Sequence, residues 1–498
     1  MSRRAALTSF LLAACATEPP PRVDLDHGVA VPATFAGATA DAAPEPDRLE
    51  DGWWQAFGDP RLDAMIVAAL EHNRDLRAAA ARLTAAASSR TIAAAGALPQ
   101  LDANLTPQRS RRIFVGFPFG GGGVPSSTST TWGLGLNLRW ELDLWGRIRS
   151  GEAAAIADVQ AAAADHAAAR LSLAGQVCKA WFAAIEAGQQ LALAQATAKA
   201  FRQTAEDVRD RFQRGVRPAI DVHLALTSLH NAEASVAQRR EQYDAARRVL
   251  ELLTGRYPAA SVALSAALPE RVPTVPLGLP SDLMLRRPDL VAAERRLAAA
   301  GCRVDAARAA LYPKLSLTAS GGTTSEDLED LIDTDFRVWS LGANLLQPLF
   351  QGGALRADVA RNEARLAESL ALYGGTMLMA FAEVENALAT QARLTERSDS
   401  LTAAATHAAR AHELARDRWQ SGLADFLLVA DGQRQSFQSE SARLLMQRLR
   451  LDNHIDLILS LGGGFAADAE PADDDAAGAE PGSAASDNST AAREGTHP

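Results

Sequence analysis

The sequence predicts a mixed α and β membrane protein built from two copies of one unit, and three observations carry that reading. The first is an internal repeat. Asp75-Leu76, Arg82-Leu83, Pro99 and Leu101 recur 214 residues later as Asp289-Leu290, Arg296-Leu297, Pro313 and Leu315. Arg211-Phe212-Gln213-Arg214-Gly215-Val216 recurs 207 residues later as Arg418-Trp419-Gln420-Ser421-Gly422-Leu423. Two matches in the same order, with offsets that differ as loop lengths would, mark a duplication. The second observation is strict apolar/polar alternation in four segments, the signature of strands with one face unlike the other. The third is a pair of unbroken helical patterns, 147–215 and 353–421, each 69 residues long.

The chain opens with MSRRAALTSFLLAAC. Arg3 and Arg4 precede an apolar run over 5–14 that is too short to span a bilayer and long enough for a signal peptide, assigned to 1–14. Leu12-Ala13-Ala14-Cys15 resembles the lipobox of bacterial lipoproteins, which implies lipidation of Cys15. Ala16 stands where an aspartate would favour retention in the inner membrane, so the outer membrane is the expected destination. Residues 15–50 hold six prolines, including Pro19-Pro20-Pro21, and read as an extended lipid-anchored tether.

The first repeat, 51–254, begins with an Ala/Arg/Leu-rich helix over about 61–97 closed by Pro99. A β-hairpin over 101–144 follows. Leu101, Ala103 and Leu105 alternate with Asp102, Asn104 and Thr106. Trp132, Leu134, Leu136, Leu138, Trp140, Leu142 and Leu144 alternate with Gly133, Gly135, Asn137, Arg139, Glu141 and Asp143. A long helical hairpin over 147–254 completes the unit: a helix to Gly215, a turn, and a returning helix over 218–254. At roughly 1.5 Å per residue the long arm measures about 100 Å, too long for a globular core. Leu173, Val177, Trp181, Ala184, Gly188 and Leu191 recur at three-four spacing, the seam of packed helices.

A connector, 255–287, leads to the second repeat, 288–465. It has a helix over about 288–311, a shorter hairpin within 313–350, and a helical hairpin over 353–461 that turns at Gly422. The hairpin loops, 116–127 and 321–335, are rich in Gly, Ser and Thr or in acids. The run GFPFGGGG over 116–123 is no phosphate loop, because no Gly-Lys-Ser/Thr follows it. Residues 466–498 carry eight acids against Arg493 and read as a disordered tail.

Composition removes whole classes of function. The 498 residues carry 50 Lys+Arg and 60 Asp+Glu, a formal charge of −10, so there is no basic footprint for nucleic acid. Three cysteines at 15, 178 and 302 form neither a Cys-x-x-Cys nor a disulfide framework. Cys178 and Cys302 fall in helical patterns and read as small buried residues. The nine histidines contain no His-x-x-x-His; His223 with His230 and His407 with His412 read as tunnel-lining or solvated. No Gly-x-Ser-x-Gly occurs, and the acid pairs Glu383 with Glu385 and Asp330 with Asp333 lack the signal of a pocket. No catalytic residue, metal site or cofactor is expected.

A strand that is apolar on one face needs something to cover that face. Rod-like helices cannot do so, whereas lipid can, with the polar face turned to a wet lumen. The 13 residues over 132–144 exceed the roughly 9–11 that a tilted strand needs to cross a bilayer. Open strand edges are intolerable in lipid, and four strands close no barrel, so at least two chains must combine. A soluble α+β protein with a small sheet is the competing reading.

The chain also resembles the outer membrane factors of tripartite efflux systems, the TolC-like exit ducts, and is most similar to their NodT-type lipoprotein subclass. The resemblance rests on Trp53-Trp54 with Phe57 and Asp59, Asn73-Arg74-Asp75-Leu76, Trp140-Glu141-Leu142-Asp143-Leu144-Trp145-Gly146-Arg147, Arg286-Arg287-Pro288-Asp289-Leu290, Glu294-Arg295-Arg296-Leu297 and Pro348-Leu349-Phe350-Gln351-Gly352-Gly353. It covers about 50–465. It implies a homotrimer, a 12-stranded outer-membrane β-barrel with four strands per chain, and a long periplasmic α-helical barrel continuous with it. It also implies an equatorial belt near 255–287 and a tip that closes by inward coiling of the hairpin ends.

In Phe426-Leu427-Leu428-Val429-Ala430-Asp431-Gly432-Gln433-Arg434 the resemblance makes Leu427 a hydrophobic gate, Asp431 an acidic ring and Arg434 its ion-pair partner. Read without the resemblance, Asp431 is a solvated acid near a helix N-terminus. Gly432 departs from the alanine common in the family and is expected to loosen the helix by roughly 1 kcal/mol. The tips at Gly215 and Gly422 are the expected contact for a periplasmic adaptor, which would join the duct to an inner-membrane pump. The function implied is passive conduction of small molecules to the exterior. A protein-secretion duct and a non-conducting tether that spans the periplasm are the alternatives.

Overall fold

The computed structural model describes residues 17–21, 31–32, 34–37, 51–114, 126–269, 272–273, 275 and 283–464. Cys15 and the acidic tail lie outside the described residues, as does most of the first hairpin loop. After a short turn at Trp53–Phe57 come α1 (Pro60–His72), α2 (Arg74–Ala95), β1 (Gln100–Ile113), β2 (Ser126–Leu142), α3 (Arg147–Gln213) and α4 (Ala219–Leu253). The order then repeats as α5 (Pro288–Ala309), β3 (Lys314–Ser325), β4 (Arg337–Leu346), α6 (Ala354–Gln420) and α7 (Phe426–Ser460). The duplication extends to lengths: α3 and α6 both have 67 residues, and α4 and α7 both have 35.

The single helix expected over 61–97 is two helices. Asn73 ends α1 in an extended conformation, and its Oδ1 accepts from the backbone N–H of Asp75 (2.9 Å) and Leu76 (3.0 Å), capping α2. Its Nδ2 donates to the carbonyl of Leu253 at 2.9 Å, which fixes the break against the end of α4. A side chain that serves two helix ends outweighs the helical pattern running through it. The strands also differ from expectation at their ends. β1 runs on to Ile113, β2 begins at Ser126 and stops at Leu142, and residues 321–325 continue β3 where a loop was expected.

All four strands form one antiparallel sheet in the order β1-β2-β3-β4. The register aligns Leu101 with Leu138, Leu105 with Leu134, Leu138 with Ala319, Trp140 with Leu317, and Ala319 with Leu341. One face is therefore largely apolar, and among the described residues no α-helix covers it: Trp339 is 81% and Leu341 77% exposed, and only the short helical turn Glu329–Ile332 sits at its outer end, where the Leu331 carbonyl accepts from Thr323 Oγ1. The other face is polar, with Asn137 Nδ2 donating to Asn104 Oδ1 at 2.6 Å and Ser320 bonded to Ser340 at 2.8 Å. On β2 the apolar band spans Trp132 to Leu142, about 33 Å of strand at roughly 3.3 Å per residue. Tilted as strands in barrels are, that is close to the ~25 Å apolar height of an outer-membrane barrel.

Sheet and helices are joined by side chains that the sequence places at the joint. Asp143 accepts from the N–H groups of Ile148 (3.0 Å) and Arg149 (2.8 Å), capping α3, while Arg147 donates to Glu141 at 2.7 Å. In the second repeat Gly352 and Gly353 adopt positive φ (59° and 85°) to make the same turn into α6. Trp145 stacks on Tyr312 at 5.0 Å and donates to the carbonyl of Pro313 at 2.8 Å, tying the two joints together.

The core lies in the helical body. Trp53, Trp54, Leu62, Ile66, Trp181, Phe182, Ile455 and Ile458 bury together where α1, α3 and α7 meet. The expected seam on α3 holds: Leu173, Val177, Trp181 and Ala184 are buried, and Gly188 brings the helix against the ring of Tyr243. Cys178 is fully buried there, and burial pushes its thiol far up; Cys302 is only half-buried. Among the described residues no helix is long and apolar enough to cross a membrane.

The N-terminal segment lies along this body. Thr17 Oγ1 donates to Glu152 (2.5 Å), the carbonyl of Pro20 accepts from Arg295 (3.0 Å), and Phe35 is buried against Leu388 and Tyr373. Glu385 then accepts the backbone N–H of Ala36 at 2.7 Å and of Gly37 at 2.8 Å. Counted from the sheet ends of α3, α5 and α6, these contacts lie about 8, 21 and 47 Å down the body at roughly 1.5 Å per residue. The segment thus starts beside the sheet and descends.

Candidate functional site

The residues singled out in the sequence gather at the end of the helical body farthest from the sheet. The hairpin from α3 to α4 turns at Gly215 (φ 73°), where the N–H of Val216 reaches the carbonyl of Arg211 at 2.9 Å. The hairpin from α6 to α7 turns at Gly422 (φ 76°), where the N–H of Leu423 reaches the carbonyl of Arg418 at 2.8 Å. Both are left-handed caps that only glycine adopts without strain. Arg211 lies over the ring of Trp419 at 4.2 Å, and Arg217 donates to the carbonyl of Ala424 at 3.3 Å, so the two tips are bound to one another. Behind them Phe201, Val208, Ala225, Trp419, Phe426 and Val429 form a small core.

Leu427, Asp431 and Arg434 sit on the first turns of α7 and share one face. Together with Thr197 and Phe201 of α3 and Ser228, Asn231 and Ser235 of α4 they line a groove of about 380 Å³. Leu427 is 66% exposed although it is a large apolar side chain. Asp431 and Arg434, one turn apart, form an ion pair in which Arg434 Nη2 donates to Asp431 Oδ1, and Arg434 Nη1 donates to Gln438 at 3.3 Å. Both are well exposed, so the pair is weak and readily exchanged for another partner. The polar residues that α4 contributes to this groove were not singled out in the sequence; only the helical spacing of Ser228, Asn231 and Ser235 marks them.

Gly432 differs from its expected role. A Cβ there would lie 3.3 Å from the Cα of His412 on α6, so the glycine permits a close crossing of α6 and α7 beside Asp431. The helix weakness that Gly432 brings is offset by that approach. His412 is half-buried at the crossing; burial, with Arg416 nearby, pushes its imidazole below the ordinary value. Its Nδ1 and the Oε1 of Gln433 are both buried without a partner.

Glu383 and Glu385 also differ from expectation, since Glu383 does line a cavity. A cleft of about 650 Å³ in the middle of the body is walled by Arg287, Asp289, Glu383, Asn453 and Asp456. Arg287 is buried and donates to Asp289 (2.7 Å), Glu383 (2.7 Å) and the carbonyl of Ser460 (3.0 Å). Burial opposes its charge, but the carboxylates of Asp289 and Glu383 outweigh that and hold the guanidinium above its ordinary value. Through Glu383 and the Ser460 carbonyl Arg287 joins the start of α5 to α6 and α7, a structural role. His230 rests against Glu233 at 3.1 Å, and among the described residues no group of His, Cys, Asp and Glu is disposed to hold a metal ion.

This architecture has close parallels. The family model described as outer membrane efflux protein matches residues 65–256 and 279–463. The chain is 31% identical to the pyoverdine export outer membrane protein OpmQ of Pseudomonas putida, over 92% of this chain and 97% of that one. It is 34% identical to the outer membrane protein OprJ of Pseudomonas aeruginosa, over 83% of this chain and 86% of that one. Among solved structures it superposes on the outer-membrane channel OprN with a TM-score of 0.81 at 29% identity, covering 90% of this chain and 99% of that one. It superposes on the open state of the Neisseria gonorrhoeae MtrE channel with a TM-score of 0.77 at 31% identity, covering 91% of this chain and 100% of that one. The fold is that of trimeric outer-membrane channels in which each chain supplies four strands and two long helical hairpins. The exposed apolar sheet, the paired hairpins and the matched length together place the chain in the outer membrane efflux protein family, as a component of the outer membrane.

Proposed function

We propose that three copies of this chain form the exit duct of a tripartite efflux pump, conducting small toxic molecules passively from the periplasm to the exterior. The observation that carries this reading is the sheet: apolar on one face, polar on the other, and open at the edges β1 and β4. Joined edge to edge in a ring, such sheets turn apolar side chains to lipid and polar ones to water. The helical hairpins continue that lumen into the periplasm. The duct performs no bond chemistry, and an inner-membrane pump reached through a periplasmic adaptor supplies the energy. Relatives named for pyoverdine export and toluene efflux support small molecules as the cargo class. A non-conducting tether would have no use for a lipid-facing sheet.

The gate is assigned to Leu427, Asp431 and Arg434. Three copies of Asp431 around a narrow axis would repel one another, attract cations and disfavour anions. The Asp431–Arg434 pair relieves that repulsion while the tip is closed, and the tips at Gly215 and Gly422 receive the adaptor. Lipidation at Cys15, and with it membership of the NodT-type lipoprotein subclass, is supported by the path of the N-terminal segment. Thr17 bonds Glu152 about 8 Å below the sheet, so the first described residues of the segment lie close to the bilayer, as a lipid anchor just before them requires. Single-channel conductance in a planar bilayer tests the reading. The parent should conduct weakly or in flickers, and Asp431→Ala should raise the conductance. A conducting parent that the exchange leaves unchanged would remove the gate assignment, and silence from inserted protein of both kinds would overturn the duct.

A further inference from the structure

The lipid-facing side of the sheet does not stay apolar to its outer end. Arg109 and Arg111 alternate in phase with Leu101, Ala103, Leu105 and Pro107, and so emerge on the same face. Their neighbours across the ladder are Thr130 and Thr128, which precede Trp132 on β2, the outermost apolar residue of that band. On β4 the same face reads Leu345, Ala343, Leu341, Trp339 and then Arg337. All three arginines are exposed; Arg109 and Arg111 lie beyond the rung of Trp132, and Arg337 lies two residues beyond Trp339 along β4, towards the end of the sheet away from the helices. A guanidinium there is outside hydrocarbon but level with the head groups of the outer leaflet.

The arginines lack the carboxylates that would neutralise them. Among the described residues none of the three forms a salt bridge; Arg111 donates to Ser126 Oγ at 3.1 Å. The sequence between the first two strands, 114–125, contains no acidic residue. The loop between β3 and β4 does carry Glu326, Asp327, Glu329, Asp330, Asp333 and Asp335, yet none of them pairs with Arg337, and Asp333 instead accepts from the N–H of Asp335 at 3.0 Å. β1 and β4 are the two edges of the sheet. Closing the ring sets the β4 edge of one protomer beside the β1 edge of its neighbour, so Arg337 arrives at the same junction as Arg109 and Arg111.

We propose that each of the three junctions is a binding site for a phosphorylated glycolipid of the outer leaflet, with Arg109, Arg111 and Arg337 gripping its phosphate groups. Arginine suits this ligand because its planar fork meets phosphate with two parallel hydrogen bonds. The acyl chains would lie along Trp339, Leu341 and Leu105 below. A lipid spanning the seam between protomers stabilises the assembled ring, since it binds the trimer and not the separate chain. The proposal rests on the duct reading, which sets the helices in the periplasm and these strand ends at the outer surface.

The test is native mass spectrometry of the purified trimer in detergent, titrated with bisphosphorylated lipid A, with its monophosphorylated form, and with inorganic phosphate. Up to three bisphosphorylated lipids should bind per trimer. The triple exchange Arg109→Gln, Arg111→Gln, Arg337→Gln should weaken that binding by on the order of ten- to a hundredfold. The triple lysine variant should fall between parent and Gln variant, because it keeps the charge and loses the bidentate fork. The monophosphorylated lipid should bind the parent more weakly, and inorganic phosphate should not displace the bisphosphorylated one. Equal affinity of parent and triple Gln variant, indifference to phosphate number, or displacement by inorganic phosphate would each overturn the proposal. If the Gln variant does not assemble, the phosphate-number comparison on the parent decides. Conductance of the same samples, with Asp431→Ala beside the parent, separates the two readings: silence of both inserted proteins while three lipids bind sinks the duct, whereas conduction without lipid selectivity sinks this site alone.

Discussion

The guanidinium of Arg211 lies 4.2 Å above the indole of Trp419, and Arg211 Nη1 reaches the Trp419 carbonyl at 3.5 Å. The two residues come from near-equivalent places in the repeat, Arg211-Phe212 and Arg418-Trp419. The duplication has therefore produced a contact between its own copies. Trp419 is almost wholly buried and meets Phe426 edge to face at 6.2 Å, so it anchors the second tip as well as the first.

Removing that anchor should loosen the tips without unfolding the body. Trp419→Ala is expected to cost roughly 3–5 kcal/mol locally, and Arg211→Ala about 1 kcal/mol. Hydrogen exchange should accelerate at 205–230 and 415–435 in Trp419→Ala and far less in Arg211→Ala. Unchanged protection of both tips in Trp419→Ala would show that they are held by something other than this contact.

Position 432 separates helix propensity from packing. Alanine is a better helix former by about 1 kcal/mol, but its Cβ would press on the His412 backbone at 3.3 Å. The two effects nearly cancel, so Gly432→Ala should leave thermal stability within about 1 kcal/mol of the parent. Gly432→Val adds branching at the same crossing and should destabilise by roughly 1–3 kcal/mol, with a higher single-channel conductance. Equal behaviour of the two variants would mean that the crossing has room to spare.

Much of this fold was legible because its signals are periodic. Leu101 to Leu105 and Trp132 to Leu142 alternate so regularly that their pairing follows, and the helical hairpins end within two residues of expectation. What was missed is where a side chain acts across a long sequence separation. Asn73 breaks a helix because it reaches Leu253, and Glu385 is occupied by the backbone N–H groups of Ala36 and Gly37, 349 and 348 residues away. Local pattern carries no information about such partners. The phrases shared with the family proved to be joints: Asp143, Arg147, Asn73 and Arg287 cap, turn or bind helices. The tip residues were identifiable by sequence position, but the groove they share with Ser228 and Asn231 needed the third dimension.

The N-terminal segment should be held by one carboxylate and one ring. Glu385 accepts two backbone N–H groups, and hydrogen bonds to a charged acceptor contribute roughly 1.5–3 kcal/mol each before solvent weakens them. Glu385→Ala and Phe35→Ala should each open residues 31–40 to limited proteolysis while the body stays intact. The same preparations allow the mass of the mature N-terminal peptide to be read. Cys15 bearing acyl chains is the expected result, and an unmodified Cys15 would remove the lipoprotein assignment. Identical proteolysis of parent and both variants would mean that the segment is secured elsewhere.

Acid should act on the middle of the body through His454. Burial alone pushes its imidazole down to about 4; its Nε2 has no partner, and its ring meets Phe57 edge to face at 5.8 Å. In the unfolded chain the same group titrates near 6.5. A base whose value falls on folding contributes stability that is complete above the unfolded value, here about 6.5. That contribution is lost as pH falls towards 4, on the order of 2–3 kcal/mol over the window. Two residues away Asp452 runs the opposite way. Burial raises it to about 6 despite Arg448 and Lys179, so its contribution is complete below about 4 and is lost as pH rises through 6. His454→Phe should therefore flatten the fall in thermal midpoint between pH 6.5 and 4.5 and change it little at pH 8. Asp452→Asn should raise the midpoint at pH 8 and leave it near the parent's at pH 4. Midpoints of both variants that run parallel to the parent from pH 4 to 8 would show that neither group is coupled to folding, and that the acid response of the body must come from its exposed ion pairs instead.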